Sequence, residues 1–352
     1  MGTYFSRSDL EILRALRATL IGMEERPAGT RAPGYWGSAR DLELYDRVFA
    51  ARIGWKWDAV LDELERRELL PAHTAPPGTL PEVEGRPWTL LDWGTGTGIA
   101  TRRLLARTRD RAGALPTRVV LVDRDERARA FAAESIAAEF PDVEVVPAEG
   151  GELDALTDLR VDVAVASHVL DELEEDEVPG LLAALSRADE VVWVEPGSRA
   201  TSRRLSAARE ELMGSFHVVA PCTHGAACGI LADGRERDWC HLFARPPAEV
   251  HTTGAWSEVR RELRIDLRSL PYSFLALRRQ EAAPVAGARL LGRPRFQKGR
   301  VLLDVCDAAG VRHAQMLQRS DKALFKELKS TEGETVVLEI DGSSVRRVGY
   351  QT

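Results

Sequence analysis

The amino-acid sequence predicts an α/β fold in three regions: a helical N-terminal region over 1–85, a core of strands and helices over 86–281, and a small β-rich domain over 285–352. Three observations predict it. From Trp88 onward, short apolar runs alternate with helical stretches, the pattern of a parallel sheet covered on both faces. The first of these runs leads through Gly94, Gly96 and Gly98 directly into a helix. Beyond residue 285 the pattern changes to closely spaced strands joined by tight turns.

The elements follow in order. Leu10, Leu13, Leu16 and Leu20 fall on or near one face of an amphipathic helix, with acids among its arginines, which reads as a mature helix and not as a targeting peptide. Leu42, Tyr45 and Phe49, and then Trp57, Val60, Leu61 and Leu64, make similar helical stripes. The stretch PAHTAPPGTLPEVEGRP (71–87) holds five prolines and two glycines and reads as a linker. The core strands are WTLLDWG, RVVLVDRD, VEVVPAE, VDVAVASH, EVVWVEPG and FHVVAPC, and YSFLALRR (272–279) follows after a long interruption. In the tail, GRVLLDVCDAAGVRHAQMLQR predicts a hairpin around Asp307–Gly310, and SDKALFKELK a short helix capped by Ser320.

Composition narrows the function classes. The chain is 44% hydrophobic and 29% charged, and no apolar run approaches the ~20 residues of a membrane span. Only four cysteines and no secretion signal point to a reducing cytoplasm, where grouped thiols usually serve metal or redox chemistry. A net charge of −7 argues against a wholesale polyanion binder, so any nucleic-acid contact needs a local basic patch.

The strongest motif is LLDWGTGTGIATRRLL. Glycines are needed where the backbone turns sharply and a ligand comes close, and the helix N-terminus adds a favourable field. The spacing is G-x-G-x-G with Asp92 two residues before the first glycine, whereas the dinucleotide fingerprint is G-x-G-x-x-G. It resembles the first motif of class I S-adenosylmethionine-dependent methyltransferases. That resemblance implies a Rossmann-like, seven-stranded core in which the seventh strand is antiparallel and lies between the fifth and sixth. It also makes Asp92, Gly94, Gly96, Gly98 and Asp123 the cofactor-binding candidates. Asp123, at the end of the second strand, is placed to hold two ribose hydroxyls with its two carboxylate oxygens. Glu149, after the third strand, is a weaker candidate for facing the adenine.

Reacting groups in such sheets lie beyond the carboxyl end of the fourth strand, which here reads ASHVLDELEEDE. The Asn, Asp or Ser followed by Pro-Pro-aromatic of many exocyclic-amine methyltransferases is missing, and there is no cysteine nucleophile. Ser167 and His168 are the catalytic candidates, His168 as a general base or as a loop-orienting group. The acids of 171–177 read as a solvated helix start.

Cys222, Cys228 and Cys240 lie within APCTHGAACGILADGRERDWCH, and Cys306 follows in the tail. Four thiols with none left over suit an all-thiolate site holding zinc or an iron–sulfur cluster, with buried apolar cysteines as the alternative. His224 and His241 then stand beside the ligands and not among them. The insertion carrying the three cysteines is expected over 221–268. Because Cys306 comes from the last region, a metal there would clasp the tail to the core.

APCTHGAACGI, RDWCHL, LRSLPYSFLALRR and VLLDVCDAAG, together with the glycine loop, resemble the methyltransferase-like proteins of small-ribosomal-subunit assembly. That family is known from mitochondria and has bacterial members, and the resemblance runs from about 88 to 310. It implies a [4Fe–4S] cluster on Cys222, Cys228, Cys240 and Cys306, and association with the small ribosomal subunit or its RNA. The function expected is an S-adenosylmethionine-binding, iron–sulfur methyltransferase-like protein that methylates ribosomal RNA or assists assembly. The alternatives are a non-enzymatic ribosome-binding assembly factor and a small-molecule methyltransferase with structural zinc. Contact with RNA is expected from Arg289, Arg293, Arg295, Lys298 and Arg300, crowded around Phe296 in a stretch without acids.

Overall fold

A computed structural model describes residues 4–24, 36–71, 82–83, 86–112, 116–148, 159–281, 287–330, 337–341 and 344–347. The chain opens with α1 (Arg7–Glu24), α2 (Ala39–Tyr45), a π-helical turn (Asp46–Ala50) and α3 (Ala51–Arg66). A two-stranded pairing of β1 (Glu82–Val83) with β2 (Arg86–Pro87) precedes β3 (Thr89–Trp93), α4 (Ile99–Ala112), β4 (Arg118–Val122), α5 (Glu126–Glu139), β5 (Glu144–Ala148), β6 (Val161–Ser167) and α6 (Val178–Leu185). Then come β7 (Ala188–Pro196), α7 (Arg199–Leu212), β8 (His217–Ala220), β9 (Leu242–Ala244), α8 (Glu249–Thr252), α9 (Gly254–Leu263) and β10 (Leu270–Arg278). The tail holds β11 (Ala288–Gln297), β12 (Arg300–Asp307), β13 (Gly310–Leu317), α10 (Lys322–Ser330), β14 (Val337–Asp341) and β15 (Ser344–Arg347).

Two compact units contain these elements. The first comprises 1–61, 71–189 and 246–268; the second comprises 62–70, 190–245 and 269–352. In the first unit β5, β4, β3 and β6 pair in that order, all parallel. The run Val119–Val122 of β4 and the run Val161–Ala166 of β6 are buried throughout, which is why β4 reads as a continuous apolar run and β6 as one broken only by Asp162, whose carboxylate accepts the Thr89 N–H at 2.8 Å. The edge strand β5 is more exposed and accommodates Pro147, whose missing N–H would break an inner strand. In the same unit α1 packs beside α9, with Arg14 bridged to Glu262 at 2.7 Å and the Tyr4 N–H donating to Glu258 at 2.8 Å.

In the second unit β7, β10 and β8 pair in that order, and β10 runs antiparallel to both neighbours. Counted from β3 as the first core strand, the two units hold 3-2-1-4 and 5-7-6, with the seventh strand reversed as expected. One feature departs from the expected insertion over 221–268. Residues 242–244 form β9 on the same edge of β10 that β8 occupies, opposite Leu270–Tyr272, while β8 sits opposite Ala276–Arg278. The sixth strand is therefore interrupted: the chain leaves it at Ala220, makes the cysteine-bearing excursion, and returns to the same edge.

The tail is a five-stranded antiparallel sheet in the order β13-β12-β11-β14-β15. Leu290, Val301, Leu303, Val305, Met316 and Leu338 form its apolar face, closed by Leu324, Phe325 and Leu328 of α10. The hairpin around Asp307–Gly310 is present. The cap of α10 is Asp321, whose carboxylate accepts the Leu324 N–H at 2.8 Å, and not Ser320. The excursion meets the hairpin turn backbone to backbone: a Cβ on Gly229 would lie 2.7 Å from Gly310 Cα and from Val311 N, so only glycine fits there.

A buried ion pair ties the last turn of α3 to the tail sheet. Arg289 on β11 donates to Glu63 at 2.7 Å, with both side chains at most 2% exposed. Glu63 also faces Arg67 at 3.4 Å and Arg66 at 3.6 Å. Removing the carboxylate leaves buried cations uncompensated, so Glu63→Ala should cost about 3–5 kcal/mol. Urea unfolding should show a lower midpoint at unchanged slope; a loss below about 1 kcal/mol would mean that water reaches Arg289 in the folded protein.

Candidate functional site

The glycine loop sits in the first unit at the carboxyl end of β3. Gly94, Gly96 and Gly98 all have positive φ, at 72°, 52° and 73°. The constraint is sharpest at Gly94, where a Cβ would stand 2.4 Å from Val169 Cγ1. The Gly94 and Thr95 N–H groups both donate to Val122 O of the neighbouring strand, at 2.7 and 3.0 Å, which folds the loop back over the sheet end. The loop borders a cavity of about 460 Å³, also lined by Asp123–Asp125, Ser167–Val169, Glu172, Trp36 and Tyr45.

Asp123 lies at the cavity wall with both oxygens in use: Oδ2 accepts Gly96 N–H and Oδ1 accepts Asp125 N–H, each at 2.9 Å. Burial pushes its carboxyl above the usual carboxylate range, and the two backbone N–H groups offset part of that. Each oxygen keeps a second lone pair for a hydroxyl donor. Asp92 has a different place from the one expected. It is sealed beneath the loop and does not line the cavity: Oδ2 accepts Thr101 Oγ1 at 2.7 Å and Thr95 Oγ1 at 3.0 Å, pinning the loop to the first turn of α4. Its Oδ1 is buried with no partner among the described residues, and burial raises its pKa to about 6. Glu149 lies outside the described residues.

Ser167 and His168 do reach the cavity. His168 holds a left-handed φ of 57°, uncommon for a side-chain-bearing residue and typical of sites where the surroundings over-determine the backbone. Both polar groups are engaged. Trp57 Nε1 donates to Ser167 Oγ at 2.9 Å, and Lys56 Nζ lies 3.3 Å from His168 Nε2. An ammonium can only donate, so Nε2 is the acceptor. Burial, with Lys56 and Arg52 nearby, holds the His168 pKa well below the ordinary imidazole value, leaving the ring neutral.

The helical N-terminal region supplies Trp36 and Tyr45 to the cavity wall, their rings edge-to-face at 4.8 Å. It also supplies Lys56 and Trp57 behind the end of β6. Helical periodicity marks Tyr45 and Trp57 as buried and does not say what they are buried against. The acids of 171–177 form turns that lead into α6, with Glu177 at its N-cap position; Glu172 and Glu177 line the cavity and Glu172 faces Arg124 at 3.7 Å.

In the second unit Cys222, Cys228, Cys240 and Cys306 line a single cavity of about 40 Å³, room for a compact inorganic group and too little for an organic cofactor. None is in a disulfide. Burial, then the neighbouring thiols, raises Cys240 well above the ordinary thiol pKa and Cys306 to about 12; burial also raises Cys222. His224 lines the cavity, its Nε2 3.7 Å from Cys306 Sγ, while His241 stacks on Trp239 at 4.6 Å outside it. Among the described residues no three His, Cys, Asp or Glu side chains are drawn into a group spaced to hold a metal ion. The donor chemistry nonetheless fits a thiolate-bound centre: four sulfurs border one small cavity, which two buried arginines, Arg209 and Arg289, also line.

Of the five cations expected on RNA, Arg289 is corrected: it is buried, donating to Pro221 O at 2.8 Å as well as to Glu63. Arg293 covers the Phe243 ring at 4.3 Å and donates to Ser269, and Arg295 forms a two-bond pair with Asp304 at 2.6 and 3.0 Å. Lys298 and Arg300 are exposed at the hairpin tip. Phe296 is not free to stack on a base; it packs edge-on against Phe325 at 5.3 Å, under Lys329.

The glycine loop after the first parallel strand, the carboxylate ending the second and the strand orders 3-2-1-4 and 5-7-6 define the fold of class I S-adenosylmethionine methyltransferases. Residues 81–334 match the profile of the family described as mitochondrial small ribosomal subunit Rsm22, and the chain belongs to that family. No curated protein matches the sequence. Solved structures similar to it include magnesium protoporphyrin IX methyltransferase from Synechocystis PCC 6803 with bound S-adenosylmethionine, at 13% identity and TM-score 0.37, covering 80% of this chain and 100% of that one. A methyltransferase from Aquifex aeolicus follows at 16% identity and TM-score 0.35, covering 54% and 94%. Mitomycin 7-O-methyltransferase stands at 13% and 0.39, covering 76% and 68%. The fold assignment rests on the strand order and not on these scores. No helix among the described residues is long and apolar enough to cross a membrane. The family description names the mitochondrion, which a plainly cytoplasmic expectation does not cover.

Asp92 makes stability depend on pH in a defined direction. Its folded pKa, about 6, exceeds the ordinary value of 3.8, so the native state holds the proton more tightly. Its contribution is fully present below about pH 4 and is lost as pH rises through 6. Relative to Asp92→Asn, the wild type should lose up to roughly 3 kcal/mol between pH 4 and 7. Parallel stability–pH curves for the two proteins would show that Asp92 is ionised in contact with water.

Proposed function

We propose that the protein binds S-adenosylmethionine in the first-unit cavity and acts on the small ribosomal subunit, by methylating its RNA or by assisting its assembly. One observation carries this reading: a chain of the Rsm22 family keeps a cavity in which the glycine loop and the open lone pairs of Asp123 converge. Gly94, Gly96 and Asp123 would hold the cofactor directly, Gly98, which faces Ala132 and Ile136 and does not line the cavity, would let the helix pack close, and Asp92 would act by fixing the loop. The three-region organisation over 1–85, 86–281 and 285–352 belongs to the same proposal, as does a reducing compartment, either the cytoplasm or the mitochondrial interior. A second reading, a non-enzymatic assembly factor that binds the cofactor, is favoured by Ser167 and His168, whose Oγ and Nε2 already accept from Trp57 and Lys56.

The four cysteines would hold a [4Fe–4S] cluster, supported by the all-thiol donor set, the one small cavity that all four line and the resemblance described above. When bound, such a group supplies a one-electron centre and a covalent clasp. The protein's own part is to bring Cys306 from the tail sheet to the other three ligands. Lys298 and Arg300, with Arg293 and Arg295 behind them, are the proposed RNA contacts.

Calorimetric titration should show S-adenosylmethionine binding, weakened in Asp123→Ala by about 1.5–3 kcal/mol, the worth of charge-assisted hydrogen bonds. A wild type that takes up no ligand at millimolar concentration would remove the cofactor reading. Mass mapping of small-subunit RNA from cells with and without the gene separates methylation from assembly. Exchanging Lys298 and Arg300 for serine should lower the salt slope of RNA binding by up to about 1.4, at ~0.7 per phosphate contact. An unchanged slope would make the hairpin tip an ordinary solvated turn.

A further inference from the structure

We infer that Arg209 and Arg289 are positioning residues of the four-cysteine centre, holding its loop by backbone carbonyls while placing two buried guanidinium charges beside the thiolates. The inference rests on the reading that the cysteines hold a metal–thiolate group. It goes beyond that reading in assigning the residues that set the group's charge balance.

The two arginines approach from different elements. Arg209, on α7, has a side chain 3% exposed. Its Nη2 donates to His224 O at 3.2 Å and Ala226 O at 2.9 Å, both between Cys222 and Cys228. Its Nη1 pairs with Glu210, and the same Glu210 oxygen accepts the Cys228 N–H at 3.2 Å. The Arg209 Nε is buried with no hydrogen-bond partner among the described residues. Arg289, on β11, is paired across the sheet with Cys306, and its side chain donates to Pro221 O, the carbonyl preceding Cys222. One arginine thus grips the middle of the first cysteine segment. The other joins the start of that segment to the strand carrying the fourth cysteine.

Charge explains why such groups are arginines. Four thiolates around a cubane leave the oxidised centre with about two negative charges, and one-electron reduction adds a third. In a buried site, a nearby cation favours the more negative state and retards loss of the metal. Loop bracing alone does not need a charge beside the sulfur atoms, and the fold contains the comparison. Arg203, two turns earlier on α7, donates to Ile230 O, Arg235 O and Asp238 O at 2.8–3.0 Å and does not line the cysteine cavity. It braces the same excursion without facing the thiols.

The test uses anaerobically purified full-length protein as wild type, Arg209→Gln, Arg209→Lys, Arg289→Gln and Arg203→Gln. Iron and sulfide content of the wild type decides the cluster reading by itself. With a cluster present, a redox titration followed by electron paramagnetic resonance should show Arg209→Gln and Arg289→Gln harder to reduce. The reduced-to-oxidised ratio at a fixed potential should fall about tenfold, equivalent to about 59 mV for one electron. Arg209→Lys keeps the charge and should stay near wild type, and Arg203→Gln should not shift. If Arg289→Gln fails to fold because Glu63 loses its partner, Arg209→Gln decides. Wild-type potentials in fully loaded Arg209→Gln would overturn the inference. A wild type containing zinc would overturn the cluster and leave the arginines testable. Zinc release to a chelator should then be about tenfold faster from Arg209→Gln than from Arg203→Gln, and equal rates would overturn them. A chain that takes up neither metal overturns both readings.

Discussion

Two buried carboxylates at the ends of adjacent parallel strands hold the first-unit site in shape. Asp92 reaches Thr95 in the loop and Thr101 on the helix, and Asp123 reaches the amide of Gly96. Each glycine in the loop has surrendered the backbone preference an L side chain would impose, so nothing local keeps the turn in one conformation. The carboxylates supply what the glycines lack. Burying them is unfavourable unless hydrogen bonds compensate, and those bonds are the ones that fix the loop. The division of labour follows: the deeper acid organises the turn and the shallower one keeps lone pairs facing the cavity.

The second unit solves the opposite problem, bringing together residues far apart in sequence. The backbone of the excursion touches the β12–β13 turn where Gly229 meets Gly310, and the register of β11 on β12 sets Arg289 opposite Cys306. Glu63 anchors that arginine from the end of α3. The thiols are therefore positioned by sheet register and one ion-pair network, with the apolar side chains Ile230, Leu291 and Val311 packed around them.

The glycine loop, Asp123 and the alternation of strand and helix were legible in the sequence because each depends on a local pattern: glycine spacing, an acid ending an apolar run, and alternating apolar and helical stretches; the strand order came only with the resemblance to class I methyltransferases. That the four cysteines converge on one cavity was legible by number and by resemblance. Residues whose role depends on distant partners were not. Arg289 sits in a basic run and reads like Arg293 or Arg300 until Glu63 is seen beside it. Phe296 looks available beside those cations until α10 folds over it. Asp92 reads as a ligand to the cofactor, although the threonines that occupy it are themselves in the motif. Three residues of β9 are too few for a periodic signal, so the return of the chain to β10 could not be read from pattern.

That return has a consequence for how the molecule is built. Because β8 and β9 lie end to end along one strand, the ends of the 221–241 excursion are already held at a fixed separation before its cysteines meet. Closing a loop costs chain entropy that grows only slowly with length, and here the sheet bears that cost. The cysteine-bearing excursion is thus fastened at both ends to one sheet edge, and the separation of those ends is set by strand register and not by the thiols.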